Sequence, residues 1–311
     1  MARFLVTGGA GFIGSHIAET LVRRGDSVRV LDNLMTGKRE NLAAFIDRLE
    51  FLEGDIRDLA TCRRAAAGVD HVLHEAALAS VPGSIADPVL TNAINVTGTL
   101  NLLVAARDAG VRSFVLASSS AVYGDDPTLP KVEGKEGKPL SPYAVSKWVD
   151  EKYGQAFHAL YGMKTVALRY FNVYGSRQDP GSAYAAVIPL FITKGLRGEP
   201  PVIYGDGEQS RDFIHVDDVV RANLAAAESP DAGGEALNIA GGTGLTINAL
   251  LAAVNGALGK DVRPVRAEPR PGDIRHSTAA IGRARRVLGF EPGVSLADGL
   301  RRTISWYKER S

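Results

Sequence analysis

Residues 4–14 constrain this chain more than any other stretch. The apolar strand Phe4-Leu5-Val6 runs straight into Thr7-Gly8-Gly9-Ala10-Gly11-Phe12-Ile13-Gly14, and a helical pattern follows at once. Gly9, Gly11 and Gly14 satisfy a G-x-G-x-x-G spacing, while Gly8, Gly11 and Gly14 satisfy G-x-x-G-x-x-G. Placed between a strand and a helix, such glycines let backbone N–H groups approach a pyrophosphate, and the helix N-terminus adds partial positive charge. Gly8, Gly11, Phe12, Ile13 and Gly14 are therefore expected to border a dinucleotide.

Apolar runs then recur at Arg3–Thr7, Ser27–Leu31, Leu49–Glu53, His71–Glu75, Ser113–Ser118 and Thr165–Tyr170, with helical stretches between them. Ser15–Arg24, Leu90–Ala109 and Pro142–Tyr161 carry helical periodicity, and Gly25-Asp26 and Gly110 read as stop signals. Strand and helix alternating in this way predict an α/β fold, a Rossmann-type doubly wound parallel sheet covered by helices on both faces. After about Gly175 prolines and glycines punctuate shorter elements, which predicts a smaller, mixed α/β substrate-binding domain. The expected division is 1–175 for the nucleotide-binding domain, with a return segment near 213–243, and 176–311 mainly for substrate. The two parts should enclose a cleft.

Lys and Arg number 36 against 35 Asp and Glu, a net charge of +1 that carries no electrostatic footprint of a nucleic-acid or membrane binder. A single cysteine, Cys62, excludes an internal disulfide and leaves no thiol cluster for a metal. The six histidines, His16, His71, His74, His158, His215 and His276, lack metal-ligand spacing and read as structural. No metal is expected. No apolar run approaches membrane-spanning length in this reading, and no charged and apolar leader precedes the first strand, so a cytoplasmic enzyme is expected.

Asp32 ends the second strand eighteen residues beyond Gly14, where a carboxylate suits an adenosine ribose and favours NAD; a strand-end cap is the plainer role. Lys38 and Arg39 keep a phosphorylated cofactor in view. Asp55-Ile56, after the third strand, fits an adenine edge or an ordinary turn equally well. Tyr143 and Lys147 stand four apart on one helix face. A phenol ordinarily titrates near 10, so its use as a base near neutrality needs nearby positive charge, which lysine supplies. Ser118-Ser119-Ser120 ends a strand at the carboxyl edge, where open parallel sheets bind ligands, so a hydroxyl there can share a substrate oxygen with Tyr143.

These motifs together resemble an extended short-chain dehydrogenase/reductase of the nucleotide-sugar epimerase and dehydratase group, over essentially the whole chain. Besides the glycine turn they include Asp32-Asn33-Leu34, Gly54-Asp55-Ile56-Arg57-Asp58, His74-Glu75-Ala76-Ala77 and Asn95-Val96-Thr97-Gly98-Thr99. Ser118 to Gly124, Ser141-Pro142-Tyr143-Ala144-Val145-Ser146-Lys147, Leu168 to Asn172 and Arg211 to Asp218 complete the set. The resemblance implies Ser119, Tyr143 and Lys147 as the catalytic residues. It adds Asn33 and Ala76 to the cofactor site. Asn172 and Arg211 would hold a diphosphate, Arg270 and Asp273 would serve the diphosphate and ribose ends of a uridine nucleotide, and Tyr204 would meet a uracil or simply anchor a turn. A homodimer through the helices Leu90–Ala109 and Pro142–Tyr161 is also implied.

Dehydratases of this group carry an Asp-Glu pair after the catalytic hydroxyl, because eliminating water needs extra acid and base. Here Ser120-Ala121 stand in that place, which points to a 4-epimerase. Four residues past Asp273, where epimerases restricted to UDP-glucose and UDP-galactose carry Tyr, this chain has Ser277. Together with Ser80 and Gln178, that small residue resembles the subgroup preferring UDP-N-acetylglucosamine. UDP-glucose and UDP-glucuronate 4-epimerases are the alternatives, the latter with Arg275 as its carboxylate partner.

Overall fold

The computed structural model describes residues 1–181, 186–269 and 275–310. Strand β1 (Arg3–Thr7) feeds the glycine turn, and helix α1 (Phe12–Arg24) leaves it. Gly8 sits at φ +65°, and a Cβ there would lie 2.7 Å from the Ala76 backbone nitrogen. A Cβ on Gly14 would meet the Gly8 carbonyl oxygen at 2.3 Å, so α1 can pack this closely on the turn only with glycine present. The helix starts three residues before the expected Ser15, because the turn closes at Gly11 and Phe12-Ile13-Gly14 already form its first turn. Gly25 ends it in the left-handed conformation, φ 88°.

Seven strands form one parallel sheet: β1, β2 (Ser27–Asp32), β3 (Glu50–Glu53), β4 (His71–His74), β5 (Ser113–Ser119), β6 (Lys164–Tyr170) and, much later, a seventh at Ala236–Ile239. Phe4 pairs with Val28 on one side and His71 on the other, so β1 is central. The order runs seventh strand, β6, β5, β4, β1, β2, β3. Its direction of winding reverses between β1 and β4, which opens a crevice at the carboxyl ends of the strands. Side chains alternate between two cores: Phe4, Val6, Val30 and Val115 face one layer of helices, and Leu5, Leu31, Val72 and Phe114 the other.

Helix α2 (Leu59–Ala66) is capped by Asp58, whose carboxylate accepts the Ala60 and Thr61 N–H groups. After β4 come α3 (Val81–Ala86) and α4 (Pro88–Asn92), then a π-helical turn at Ala93–Thr97 and α5 (Gly98–Asp108). The single helix expected over Leu90–Ala109 is thus interrupted. The extra residue in the π turn swings Asn95 inward, where its amide accepts from Leu78 N at 2.8 Å and donates to Ser146 Oγ at 2.9 Å. A second expectation is corrected here, because Pro88–Asp108 is long and apolar enough to cross a membrane. Half of that stretch is buried in the fold, where α5 packs on α2 and α6, so its apolar character serves the core. Helix α6 (Pro142–Tyr161) has its expected bounds and is capped by the Ser141 hydroxyl.

Past β6 the elements shorten. Strand β7 (Asn172–Tyr174) is followed by α7 (Val187–Arg197), β8 (Val202–Tyr204), β9 (Ser210–His215) and α8 (Val216–Glu228). The seventh sheet strand is β10, and after it come β11 (Gly244–Thr246), α9 (Ile247–Leu258), β12 (Val265–Ala267), α10 (Gly282–Leu288) and α11 (Leu296–Lys308). Strands β11, β9 and β7 make one small sheet, and β12 with β8 another. Helices α7, α9 and α11 close over them around Ile188, Phe191, Ile203, Leu250 and Ile304. Helix α8 instead returns to pack on α1 and the large sheet.

Candidate active site

A cleft of about 570 Å³ lies between the carboxyl edge of the large sheet and the small sheets. Ser119, Tyr143 and Lys147 all line it, beside Ile13, Ala117 and Tyr170. Ser119 ends β5 and its Oγ accepts the Ala121 N–H at 3.1 Å, which aims the hydroxyl at the mouth of the strand. Tyr143 opens α6 with its backbone N–H donated to Ser84 Oγ at 3.1 Å. One turn on, the buried Lys147 Nζ donates to the Ala117 carbonyl at 2.8 Å and lies 3.7 Å from Asp150 Oδ2.

Behind Lys147 the site rests on a buried polar chain. The Thr7 hydroxyl and His74 Nδ1 are 2.6 Å apart, and His74 Nε2 and Thr99 Oγ1 2.8 Å. Burial pushes the His74 imidazole down to about 3, so the ring is neutral. Burial pushes the Asp150 carboxyl up to about 7, against the pull of Lys147 and of the Thr99 hydroxyl. Farther out, Arg169 grips Glu151 through two bonds of 2.8 and 2.7 Å, and the Ser118 hydroxyl donates to the same carboxylate. This buried arginine pair fixes the ends of β5 and β6 against α6.

The residues expected at the cofactor are ordered around the glycine turn. No side chain caps the N-terminus of α1, which leaves its first N–H groups to a ligand, while glycine at 8 and 14 lets the turn close against Ala76 and the helix against the turn. That cradle fits the pyrophosphate of a dinucleotide. The buried Asp32 accepts N–H bonds from Ala10 at 2.9 Å and Leu34 at 2.8 Å, so it secures the turn and keeps lone pairs for a ribose. Desolvation raises its carboxyl from the ordinary value. Asn33 donates to Asp55 at 2.8 Å, and Asp55 also holds Arg57. The Arg57 guanidinium draws the Asp55 carboxyl down to about 2. Ile56 is buried against Gly98, and the Ala76 N–H faces the Thr7 hydroxyl at 3.4 Å. Phe12 packs edge-on to His16. Lys38 is paired with Asp179 at 3.0 Å and Arg39 with Glu53 at 3.8 Å, both pairs standing largely in solvent.

Of the substrate residues, Asn172, Tyr204 and Arg211 line the cleft. Asn172 donates to the Asp212 carbonyl at 2.9 Å, tying β7 to β9, and Arg211 donates to the Ser210 carbonyl at 2.9 Å. Asp212 itself turns inward, accepting N–H groups of Gly241 and Ala279, and makes no surface pair with its neighbour. Ser80, Gln178 and Ser277 are not among the lining residues. The Ser80 hydroxyl caps α3, the Gln178 amide donates to the Val173 carbonyl at 3.1 Å, and Ser277, 9% exposed, donates its N–H to Ser210. Arg270 and Asp273 lie outside the described residues.

The histidines are spent on structure: His16 on the Ser176 carbonyl, His71 on Ser113, His158 on the Met163 carbonyl, His215 as the cap of α8 and His276 on Ser210. Two functional neighbours escaped the sequence reading. Asp150, three residues beyond Lys147, shares its helix face, and that spacing was a usable signal. Glu75 stands just past β4 within a quoted motif, yet nothing local marks its carboxyl as facing the cleft.

Parallel sheet, glycine turn and the serine, tyrosine and lysine in one cleft define a short-chain dehydrogenase/reductase. The model of the NAD dependent epimerase/dehydratase family matches residues 4–240, so the chain belongs to that family, and NAD is its cofactor. The chain is similar to a putative UDP-glucose 4-epimerase of Methanocaldococcus jannaschii, 40% identical over 309 residues and 99% of both chains. It is likewise similar to a dTDP-glucose 4,6-dehydratase of Streptomyces griseus, 40% identical over 99% of this chain and 94% of that one. Among solved structures, the UDP-N-acetylglucosamine 4-epimerase of Methanobrevibacter ruminantium, in complex with UDP-N-acetylmuramic acid, superposes with a TM-score of 0.96. It is 43% identical, covering 100% of this chain and 99% of its own.

Proposed function

We propose that the chain is a UDP-sugar 4-epimerase that interconverts UDP-N-acetylglucosamine and UDP-N-acetylgalactosamine. The observation that carries the reading is the meeting of Ser119, Tyr143 and Lys147 in one cleft, with Ser120-Ala121 where a dehydratase needs its acids. The first part, 1–175 with the return near 213–243, would hold the cofactor, and the remainder the nucleotide sugar. When bound, NAD supplies a reversible acceptor for the hydrogen on C4. Tyr143, as phenolate, takes the C4 hydroxyl proton while Ser119 hydrogen-bonds the same oxygen. Lys147, locked on the Ala117 carbonyl, favours the phenolate by its charge. The 4-keto sugar then turns about its link to the diphosphate, and Tyr143 returns the proton once the opposite face is presented. Asn172 and Arg211 keep the diphosphate in place during that turn, with Arg270, Asp273 and Tyr204 toward the uridine.

The acetamido preference is drawn from Ser80, Gln178 and small Ser277. Similarity to the putative UDP-glucose 4-epimerase of Methanocaldococcus jannaschii supports a second reading, a UDP-glucose/UDP-galactose 4-epimerase. Arg275, already paired with Asp206 at 3.0 Å, suits a glucuronate less well. Incubation of the purified protein with UDP-N-acetylglucosamine and with UDP-glucose, followed by product separation, separates the readings. The acetylated sugar is expected to turn over faster, and conversion of neither would refute the epimerase. Ser277→Tyr should then lower kcat/KM for the acetylated sugar far more than for the plain one. We also infer a cytoplasmic homodimer: α6 leaves Val145, Trp148, Leu160 and Tyr161 exposed beside Ile85 and Val89, an apolar face suited to a second copy.

A further inference from the structure

Glu75 takes no part in the proton transfer, yet it lines the cleft beside Tyr170 and Lys147. It begins at the glycine turn, where its carbonyl carbon would lie 2.9 Å from a Cβ on Gly8. It ends at β6, where the Tyr170 hydroxyl donates to Oε1 at 2.7 Å and in turn accepts from Asn223 Nδ2 at 2.7 Å. The side chain therefore spans the floor between the cradle for the pyrophosphate and the catalytic residues. NAD held by its pyrophosphate at the glycine turn would carry its redox-active ring along this cleft toward Ser119 and Tyr143, past Glu75.

The charges facing this floor leave the carboxylate under-compensated. Lys147 from α6 attracts the carboxylate, the Tyr170 phenol of β6 donates to it, and behind that phenol stands the neutral Asn223 of α8. Lys147 attracts Glu75 but forms no ion pair with it, being committed to Ala117 and Asp150. Tyr170 is a hydroxyl donor with no charge to give, its phenol being held well above the usual value by burial and by Glu75 itself. A half-buried carboxylate with one neutral donor is stabilised most by a cation arriving in the cleft.

We infer that Glu75 is the counter-charge to the oxidised, cationic nicotinamide ring, and that it biases the resting enzyme toward NAD⁺ over NADH. Burial that pushes the carboxyl up to about 7 agrees with a charge left wanting a partner before the cofactor binds. The inference rests on the use of NAD as a transient acceptor, and it applies whatever sugar is epimerised.

The test is a mediator-coupled redox titration of purified holoenzyme and its Glu75→Gln variant, read by the near-ultraviolet absorbance of the reduced ring. The amide keeps a partner for Tyr170 while removing the charge. At equal applied potential the variant should hold about tenfold more reduced cofactor, a rise of about 30 mV for a two-electron couple. Should the variant purify without cofactor, the ratio of its dissociation constants for NAD⁺ and NADH carries the same information. That ratio should move about tenfold toward NADH. An unchanged potential, or an unchanged ratio, overturns the assignment. Neither measurement needs a sugar, so failure of the epimerase assays and failure of Glu75 as counter-charge are distinguishable.

Discussion

The two walls of the cleft are built on different principles. The inner wall is the carboxyl edge of a seven-stranded sheet, where Lys147 is 3% exposed and is backed by His74 at 3%, Arg169 at 2% and Asp150 at 1%. Lys147, His74 and Arg169 are each held by groups from other elements. The outer wall comes from strands of three to six residues and their turns: Tyr204 is 36% exposed, and the nearby Arg275–Asp206 pair stands in solvent with 66% and 54% of its side chains exposed. The difference teaches a division of labour. On the proposed function, proton transfer, which tolerates little misplacement, would sit where regular structure over-determines position, and sugar recognition where small changes in sequence move few neighbours.

The largest blow to that contrast would come from the inner wall. Arg169→Met strips the cation from buried Glu151 and should cost about 3–5 kcal/mol of stability, measured by urea denaturation. A loss no larger than that of an outer-wall substitution would erase the distinction. On the outer wall, Arg211→Ala should raise the KM for the nucleotide sugar about tenfold to a hundredfold by removing a charge-assisted hydrogen bond of about 1.5–3 kcal/mol. Its denaturation midpoint should stay close to that of the parent, and a fall to match Arg169→Met would show both walls to be equally structural.

The smallest effect sharpens the comparison by separating burial from mere nearness to the cofactor. Asp55 belongs to the cofactor side but pairs with the partly exposed Arg57, whose hydrogen bonds draw its carboxyl down to about 2. Its unfolded value is near 3.9, so its contribution is present above about pH 4 and is lost as pH falls toward 2. Thermal melts between pH 4 and 2 should fall less steeply for Asp55→Asn. Identical slopes would remove this pair from the acid response.

Periodicity and motif spacing predict the parallel sheet, the glycine turn, α6 with its bounds and the Tyr143–Lys147 face, because each is a local pattern of three to seven residues. The break between α4 and α5 was hidden, since its cause is Asn95 reaching Leu78 and Ser146, distant in sequence. Ser80, Gln178 and Ser277 were legible as small or polar residues in recognisable segments. Their caps and backbone partners are set by neighbours across the fold.

From sequence alone follow the dinucleotide turn, the family and the proposed Ser119, Tyr143 and Lys147 triad, each of them marked by a short local motif. Only the tertiary structure decided that Glu75 and Asp150 flank Lys147, that the histidine behind it is neutral, and that Arg169 locks the strand ends. Those outcomes depend on burial and on the distance between charges, quantities that exist only once strands far apart in the chain lie side by side.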